Sequence, residues 1–191
     1  MLISYLVFIT NKQATMSGHN KWSKIKNKKA ITDAKKSKIF SKLVKLIQVE
    51  SRLSHGNMES LGLRTAIQKA KEANMPSDNI DRAVKKGAKG EGVELEMAVY
   101  ETYGPGGVAI MIEILTDNKN RSSAEIKHIL SKNGHALATP GSCSWAFHKE
   151  GKEWLPQTTV EISAEDGAKL EALIDELEEN DEVQEIFHNG L

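Results

Sequence analysis

Residues 87–92 read Gly87-Ala88-Lys89-Gly90-Glu91-Gly92, and the chain on either side of them follows different rules. Before this stretch, apolar residues recur with the 3.6-residue period of amphipathic helices; after it they alternate with a period of two, as strands do. Charge reverses at the same place. Residues 16–90 carry 18 basic side chains against 6 acidic ones, a local charge of +12, whereas residues 91–191 carry 7 against 20, or −13; Lys12 supplies the balance of a formal net charge of zero. Three glycines in six residues, coinciding with both changes, mark a boundary between a basic helical domain at 16–90 and an acidic domain at 91–191. The neutrality of the whole chain is a cancellation, and such asymmetry points to nucleic acid or another anionic surface as the partner of the basic half.

Upstream of the boundary, Ser77 is expected to cap a short helix through Lys86, with Gly87 as its C′ residue. Asn74-Met75-Pro76 ends a preceding helix over about 60–73 that turns Leu63, Ala66, Ile67 and Ala70 inward. A longer helix opens at the N-cap Thr32 and runs to about Ser54. Its Ile39, Phe40, Leu43, Val44, Leu46 and Ile47 gather on one face, while Lys35, Lys38, Lys42, Lys45 and Arg52 share the other. Ahead of it lies a basic arm, with Lys21, Lys24, Lys26, Lys28 and Lys29 around Trp22 and Ile25. Residues 1–15 read as an unstructured extension before Met16. Their apolar run from Leu2 to Ile9 falls far short of the ~20 residues that span a bilayer, so no membrane partner is expected, the alternative being a hydrophobic anchor.

Downstream, Leu95–Tyr103 and Val108–Leu115 alternate and flank Gly104-Pro105-Gly106-Gly107, a hairpin. Ser122-Ser123-Ala124-Glu125 reads as a capping box opening a helix to Asn133, with Gly134 beyond it. A strand is expected at about 142–148, a turn at Pro156, and a further strand at 158–163. Ser163-Ala164-Glu165-Asp166 opens a helix to about Glu179, and Asp181–His188 forms a last strand. The order ββαββαβ implies an α/β sandwich behind the three-helix domain, in an α+β fold whose helices cover one face of a mainly antiparallel sheet.

Composition narrows the chemistry. The single cysteine, Cys143, forms no internal disulfide and reads as a small core residue of a protein from a reducing compartment. The six histidines lack zinc-ligand spacing, so no metal is expected. No serine, cysteine or lysine sits in a motif with a partnered histidine, and no carboxylate pair shows an acid/base signature. Neither an enzyme, a cofactor nor a small-molecule substrate is expected.

What remains is binding. Residues 16–55 hold 11 basic side chains and 2 acidic ones, a repulsion that a polyanion would relieve. Lys21, Lys24, Lys28, Lys29, Lys35, Lys38, Lys42 and Lys45 are therefore the candidate phosphate contacts, against the blander reading of a solvated helix face. Trp22 could stack on a base or pack on the helices. Tyr103-Gly104-Pro105-Gly106-Gly107 is either a partner-contacting tip or plain turn geometry. In Thr116-Asp117-Asn118-Lys119-Asn120-Arg121, the Asp and Asn residues suit a turn and helix entry, whereas Lys119 and Arg121 could extend a nucleic-acid surface. The acidic face of Glu171, Asp175, Glu176, Glu178 and Glu179 is either solvated or repels polyanions and so orients the basic half.

These residues also carry a resemblance. Ser17-Gly18-His19-Asn20-Lys21-Trp22, Lys29-Ala30, Asp33-Ala34-Lys35 and Lys38-Ile39-Phe40-Ser41-Lys42 resemble the opening of the YebC/PmpR family, which includes the mitochondrial translational activator of cytochrome c oxidase. Asn74-Met75-Pro76, the Tyr103–Gly107 loop, the segment at 116–121 and Phe187-His188-Asn189 continue the likeness in order. It implies a cytoplasmic bacterial protein that binds DNA as a transcriptional regulator, or alternatively binds ribosomal RNA and assists translation through proline-rich stretches. A third reading is a protein-interaction module whose basic half docks on an acidic partner, such as the acidic half of a second copy. Thr102 and Lys119 stand where the family usually has glycine and arginine. The family's third, ferredoxin-like domain, inserted within the second, is expected to be absent here, since Lys149–Glu153 leads straight to Trp154-Leu155-Pro156.

Overall fold

The computed structural model describes residues 33–191 apart from 93 and 152, and the side chains of 33–35 and 153 are not included. The expected arm and the 1–15 extension lie outside the described residues.

Three helices come first: α1 (Asp33–Leu53), α2 (Leu61–Glu72) and α3 (Ser77–Ala88). Leu43 and Ile47 of α1, Leu63, Ala66, Ile67 and Ala70 of α2, and Ile80 and Ala83 of α3 bury one another, with Met75 closing the core at the turn. The proline that stops α2 also starts α3: Pro76 is the N-cap residue, and Ser77 makes no side-chain cap. Gly87 is not the expected C′ residue either. It lies inside α3, where a Cβ would stand 2.4 Å from the Gln48 carbonyl oxygen and 2.8 Å from Ser51 Cβ. Its missing side chain lets α3 approach α1, and Ser51 Oγ donates to the Val84 carbonyl at 2.7 Å beside it. The left-handed turn falls instead at Gly90, with φ +71°.

The second half runs β1 (Glu96–Tyr103), a single 3₁₀ turn at Pro105–Gly107, β2 (Ala109–Thr116), α4 (Lys119–Lys132), a 3₁₀ turn at Ser144–Ala146, β3 (Phe147–Glu150), β4 (Glu153–Pro156), α5 (Ala164–Glu178) and β5 (Val183–His188). The mixed α+β class and the element order agree with the sequence reading. The strands form an antiparallel sheet in the order β1-β2-β5 and a separate β3-β4 hairpin. β2 is central and buried along its whole length. Its Ile110, Ile112 and Ile114 pack with Ile126 and Leu130 of α4 and Leu170, Leu173 and Leu177 of α5. Ala109 and Met111, on the opposite face, meet Cys143, Ala146, Phe147 and Phe187.

Several boundaries moved for identifiable reasons. α4 starts at Lys119, three residues before the expected box, because Asn118 is the cap: its side-chain oxygen accepts from the backbone amides of Asn120 and Arg121, each at 3.1 Å. Ser122 is free to bond inward, 2.7 Å from Thr116 Oγ1. The expected strand at 142–148 is mostly a 3₁₀ turn, since Glu101 accepts from the amides of Gly141 and Cys143 at 2.7 and 2.6 Å and bends the chain there. Pro156 ends β4 rather than making a turn. No strand forms at 158–163, where Val160 contributes one parallel bridge to Gly190. At α5 the expected cap holds, with Ser163 Oγ accepting from the Asp166 amide at 3.1 Å.

Candidate nucleic-acid interface

Lys38, Lys42 and Lys45 are spaced by four and three residues, which places them on one strip of α1. The structure points this strip at the C-terminal end of α5. Lys38 Nζ donates to the Glu179 carbonyl and, at 3.0 Å, to Glu179 Oε2, with Asp181 Oδ1 at 3.7 Å. Lys42 Nζ donates to the Glu178 carbonyl at 2.8 Å, and Lys45 Nζ to the Asp181 carbonyl at 3.5 Å. Carbonyls at a helix C-terminus have no partner within the helix and carry the negative end of its dipole. The lysine strip therefore supplies cations where α5 itself offers none in its last turn.

Burial has a cost at the centre of this strip. Lys42 is only 9% exposed, and desolvation pushes its ammonium down to about 8; the neighbouring charge of Lys38 acts in the same direction, and Glu178 opposes both. In the unfolded chain the amine keeps its ordinary value of 10.5, so between those two pH values the unfolded state binds more protons. The native state gains stability as pH rises through that window. Lys42→Met removes the titration. Urea midpoints of wild type and variant, compared at pH 8 and pH 10, should therefore diverge in favour of wild type at the higher pH; a constant difference would mean that Lys42 is solvated.

A second attachment lies one helix away. Lys69 of α2 forms an ion pair with Glu185 of β5, Nζ to Oε1 2.5 Å, with side chains 14% and 7% exposed. Glu185 stands directly opposite Glu113 of β2. Burial raises the Glu113 carboxyl above its usual range and the Glu185 charge adds to this, while a 2.8 Å bond from Trp154 Nε1 and nearby Lys149 and Lys69 oppose it. Lys149 Nζ lies 4.8 Å from the centre of the Trp154 ring. Lys69, Glu113, Trp154 and Glu185 were not among the candidates. The available signal was a glutamate in an otherwise apolar alternation, Ile112-Glu113-Ile114.

The other candidates are placed as follows. Lys21, Trp22, Lys24, Lys28 and Lys29 lie outside the described residues, as does the side chain of Lys35. In the Tyr103–Gly107 loop, the Gly104 amide donates to the Val108 carbonyl at 2.8 Å and the Gly107 amide to the Gly104 carbonyl at 3.1 Å. A Cβ on Gly106 would meet Ile162 Cγ2 at 2.7 Å. Packing accounts for Gly104 and Gly106, and Gly107 takes a positive φ of +77° with open space where a Cβ would stand; the exposed part of the loop is Gly106, Gly107 and the edge of Tyr103, whose hydroxyl donates to the Ser142 carbonyl at 2.5 Å. Lys119 pairs with Glu96 at 2.8 Å. Arg121 is held by Asp117 at 2.6 Å and by Glu182, with Glu125 at 3.8 Å. Lys71, Lys85 and Lys86 are exposed. Among the described residues no three potential ligands cluster as a metal site, and no helix is long and apolar enough to cross a membrane.

Fold and site together define an α+β protein in which a basic three-helix head is docked, lysine first, on an acidic sheet-bearing half. Comparison with known proteins gives this class its family. Residues 20–90 match the TACO1/YebC protein N-terminal domain, and residues 95–152 and 149–190 match the TACO1/YebC second and third domain. The chain belongs to the TACO1/YebC family. A relative from Fervidobacterium nodosum is 40% identical, covering 91% of this chain and 93% of its own length. One from Petrotoga mobilis is 47% identical, covering 90% and 70%. Each bears the name "Probable transcriptional regulatory protein". The crystal structure of a conserved hypothetical protein from Aquifex aeolicus superposes with a TM-score of 0.74 at 34% identity, covering 86% of this chain and 93% of that one. The two stretches matched by the second-and-third-domain profile meet at the β3-β4 hairpin. The alignment to the Fervidobacterium relative runs over 235 positions, longer than this entire 191-residue chain, so that relative contains segments with no counterpart here.

Proposed function

We propose that this chain is a non-enzymatic, cytoplasmic regulator of gene expression that binds nucleic acid through its helical domain, with duplex DNA as the leading target. The observation that carries the reading is the lysine strip of α1. Lys38, Lys42 and Lys45 together gather the carbonyls of Glu178, Glu179 and Asp181 and the carboxylates of Glu179 and Asp181. A row of anionic and carbonyl oxygens along one strip is the kind of acceptor array that a phosphate backbone presents. The +12 charge of residues 16–90 adds the long-range attraction, and phosphate contacts of this kind position a protein on a duplex without reading its sequence. The names of the relatives support regulation as the role.

A nuclease-controlled pull-down tests the reading. The full chain should retain duplex DNA in a DNase-sensitive manner, with log K falling against log salt by about 0.9 per phosphate neutralised. Enrichment of ribosomal RNA, lost only on RNase treatment, would move the target to the ribosome. Retention of protein alone after both treatments would overturn nucleic-acid binding.

A further inference from the structure

We infer that the C-terminal end of α5 is a built-in competitor for the lysine strip, so that the docked arrangement is a closed state that nucleic acid must displace. The inference rests on the proposed function and extends it to regulation. Lys42 Nζ is covered by the Glu178 carbonyl and its residue is 9% exposed, so no phosphate reaches it while the halves are docked. Lys38 and Lys45 are engaged by the same short segment, 178–181. The acceptors that occupy the strip are two carboxylates and three main-chain carbonyls. Each carbonyl is a weaker partner for an ammonium group than a phosphate oxygen, because charge-assisted bonds with both partners ionised are the stronger ones.

Two polar attachments tie the halves together among the described residues. One is the strip on α5, and the other is the Lys69–Glu185 pair. Beyond them a cavity of about 840 Å³ opens between Val49, Glu50 and Leu53 of α1 and Leu95, Glu96 and Met97 at the start of β1. Releasing these polar attachments exposes neither hydrophobic core, because the helical core and the sheet core are made of different residues. A polyanion that takes over the α1 lysines removes one of these attachments and so weakens the closed form, leaving the Lys69 pair in place.

Glu185→Lys separates this device from general electrostatics. It sets like charges at the Lys69 attachment, while Glu113, directly opposite, can accept the new ammonium and so preserve the sheet. Glu161→Lys, on an exposed residue away from the attachments, makes the same change in net charge. Affinity of the full chain for a short random-sequence DNA duplex is read by fluorescence anisotropy at low salt, and compaction of the free protein by small-angle X-ray scattering. Glu185→Lys should expand the free protein and tighten binding about tenfold relative to Glu161→Lys. The double variant Glu179→Gln/Asp181→Asn, which leaves the sheet untouched, should move both readouts the same way by about threefold in affinity. If wild type binds the duplex and neither opening variant binds more tightly than the charge control, the inference is overturned and the proposed function stands. If the free opening variants expand yet no form of the chain binds duplex, the proposed function falls and the inference with it.

Discussion

Reversing Lys35, Lys38, Lys42 and Lys45 together to glutamate is expected to abolish duplex binding by the full chain. Two consequences of the change oppose each other. The reversal places three carboxylates, at 38, 42 and 45, against the α5 terminus, whose Glu178, Glu179 and Asp181 oxygens already lie within 3.7 Å of the lysine nitrogens. The docked state is thereby broken, and any surface it had covered becomes available. The same reversal removes up to four phosphate contacts and adds four repulsive charges, and this effect dominates. At about 0.9 per contact, the slope of log K against log salt should fall by about 3 to 4, and affinity at moderate salt by on the order of a thousandfold. Anisotropy titrations over a range of salt concentrations measure both quantities. A variant that is expanded in solution but binds with unchanged slope would show that the phosphate contacts lie elsewhere in the basic half, with the exposed Lys71, Lys85 and Lys86 as the next residues to reverse.

How much of this was legible in the sequence varies with the range of the interaction involved. The helices were readable because a 3.6-residue period and the stop at Asn74-Met75-Pro76 are local signals. The β1-β2 pairing was readable because Val108, Ile110, Ile112 and Ile114 alternate around a glycine-rich turn. Ser122 was misplaced as a cap because its hydroxyl reaches Thr116 and Glu182, partners that a local motif cannot foresee. The strand expected at 158–163 failed because its alternation is met by one bridge to Gly190 and by loop packing, with no neighbouring strand to complete a ladder. The spacing of Lys38, Lys42 and Lys45 put them along one strip of α1, but on the side read as turned away from the core Lys42 is buried. The strip's neighbour was not legible, because charge patterning reports that a face is basic but not which anion covers it. One alternative reading gave the basic half an acidic partner, such as the acidic half of a second copy, and the structure puts acidic residues of the same chain there. Glu113 and Glu185 were hidden for a further reason: in a period-two pattern a buried carboxylate looks like a solvent-facing one until the element that covers it is known.

The Lys69–Glu185 pair yields the other large expected effect. Lys69→Met keeps the length and most of the volume of the side chain but removes the cation from beside Glu185, leaving two carboxylates, Glu113 and Glu185, facing each other across β2 and β5. Removing one partner of a buried pair costs about 3–5 kcal/mol when the other charge must stay buried. Here the chain has a less costly response, since undocking the helical half gives Glu185 access to water. The expected result is therefore loss of docking with retention of both domains: unchanged far-ultraviolet circular dichroism, an expanded scattering profile, and faster amide exchange at the surfaces of α2 and β5 that face each other. Adding Glu185→Leu to Lys69→Met removes the second charge as well, and an apolar pair of similar volume is often neutral or stabilising relative to a buried ion pair. The double variant should return to the compact profile. Compactness of the single variant equal to wild type would mean that water already solvates the pair, whereas simultaneous loss of circular dichroism and exchange protection throughout would mean that the two halves unfold as one cooperative unit. Between these outcomes lies the predicted one, in which a single partly buried lysine decides whether the basic face is turned toward its own chain or toward solvent.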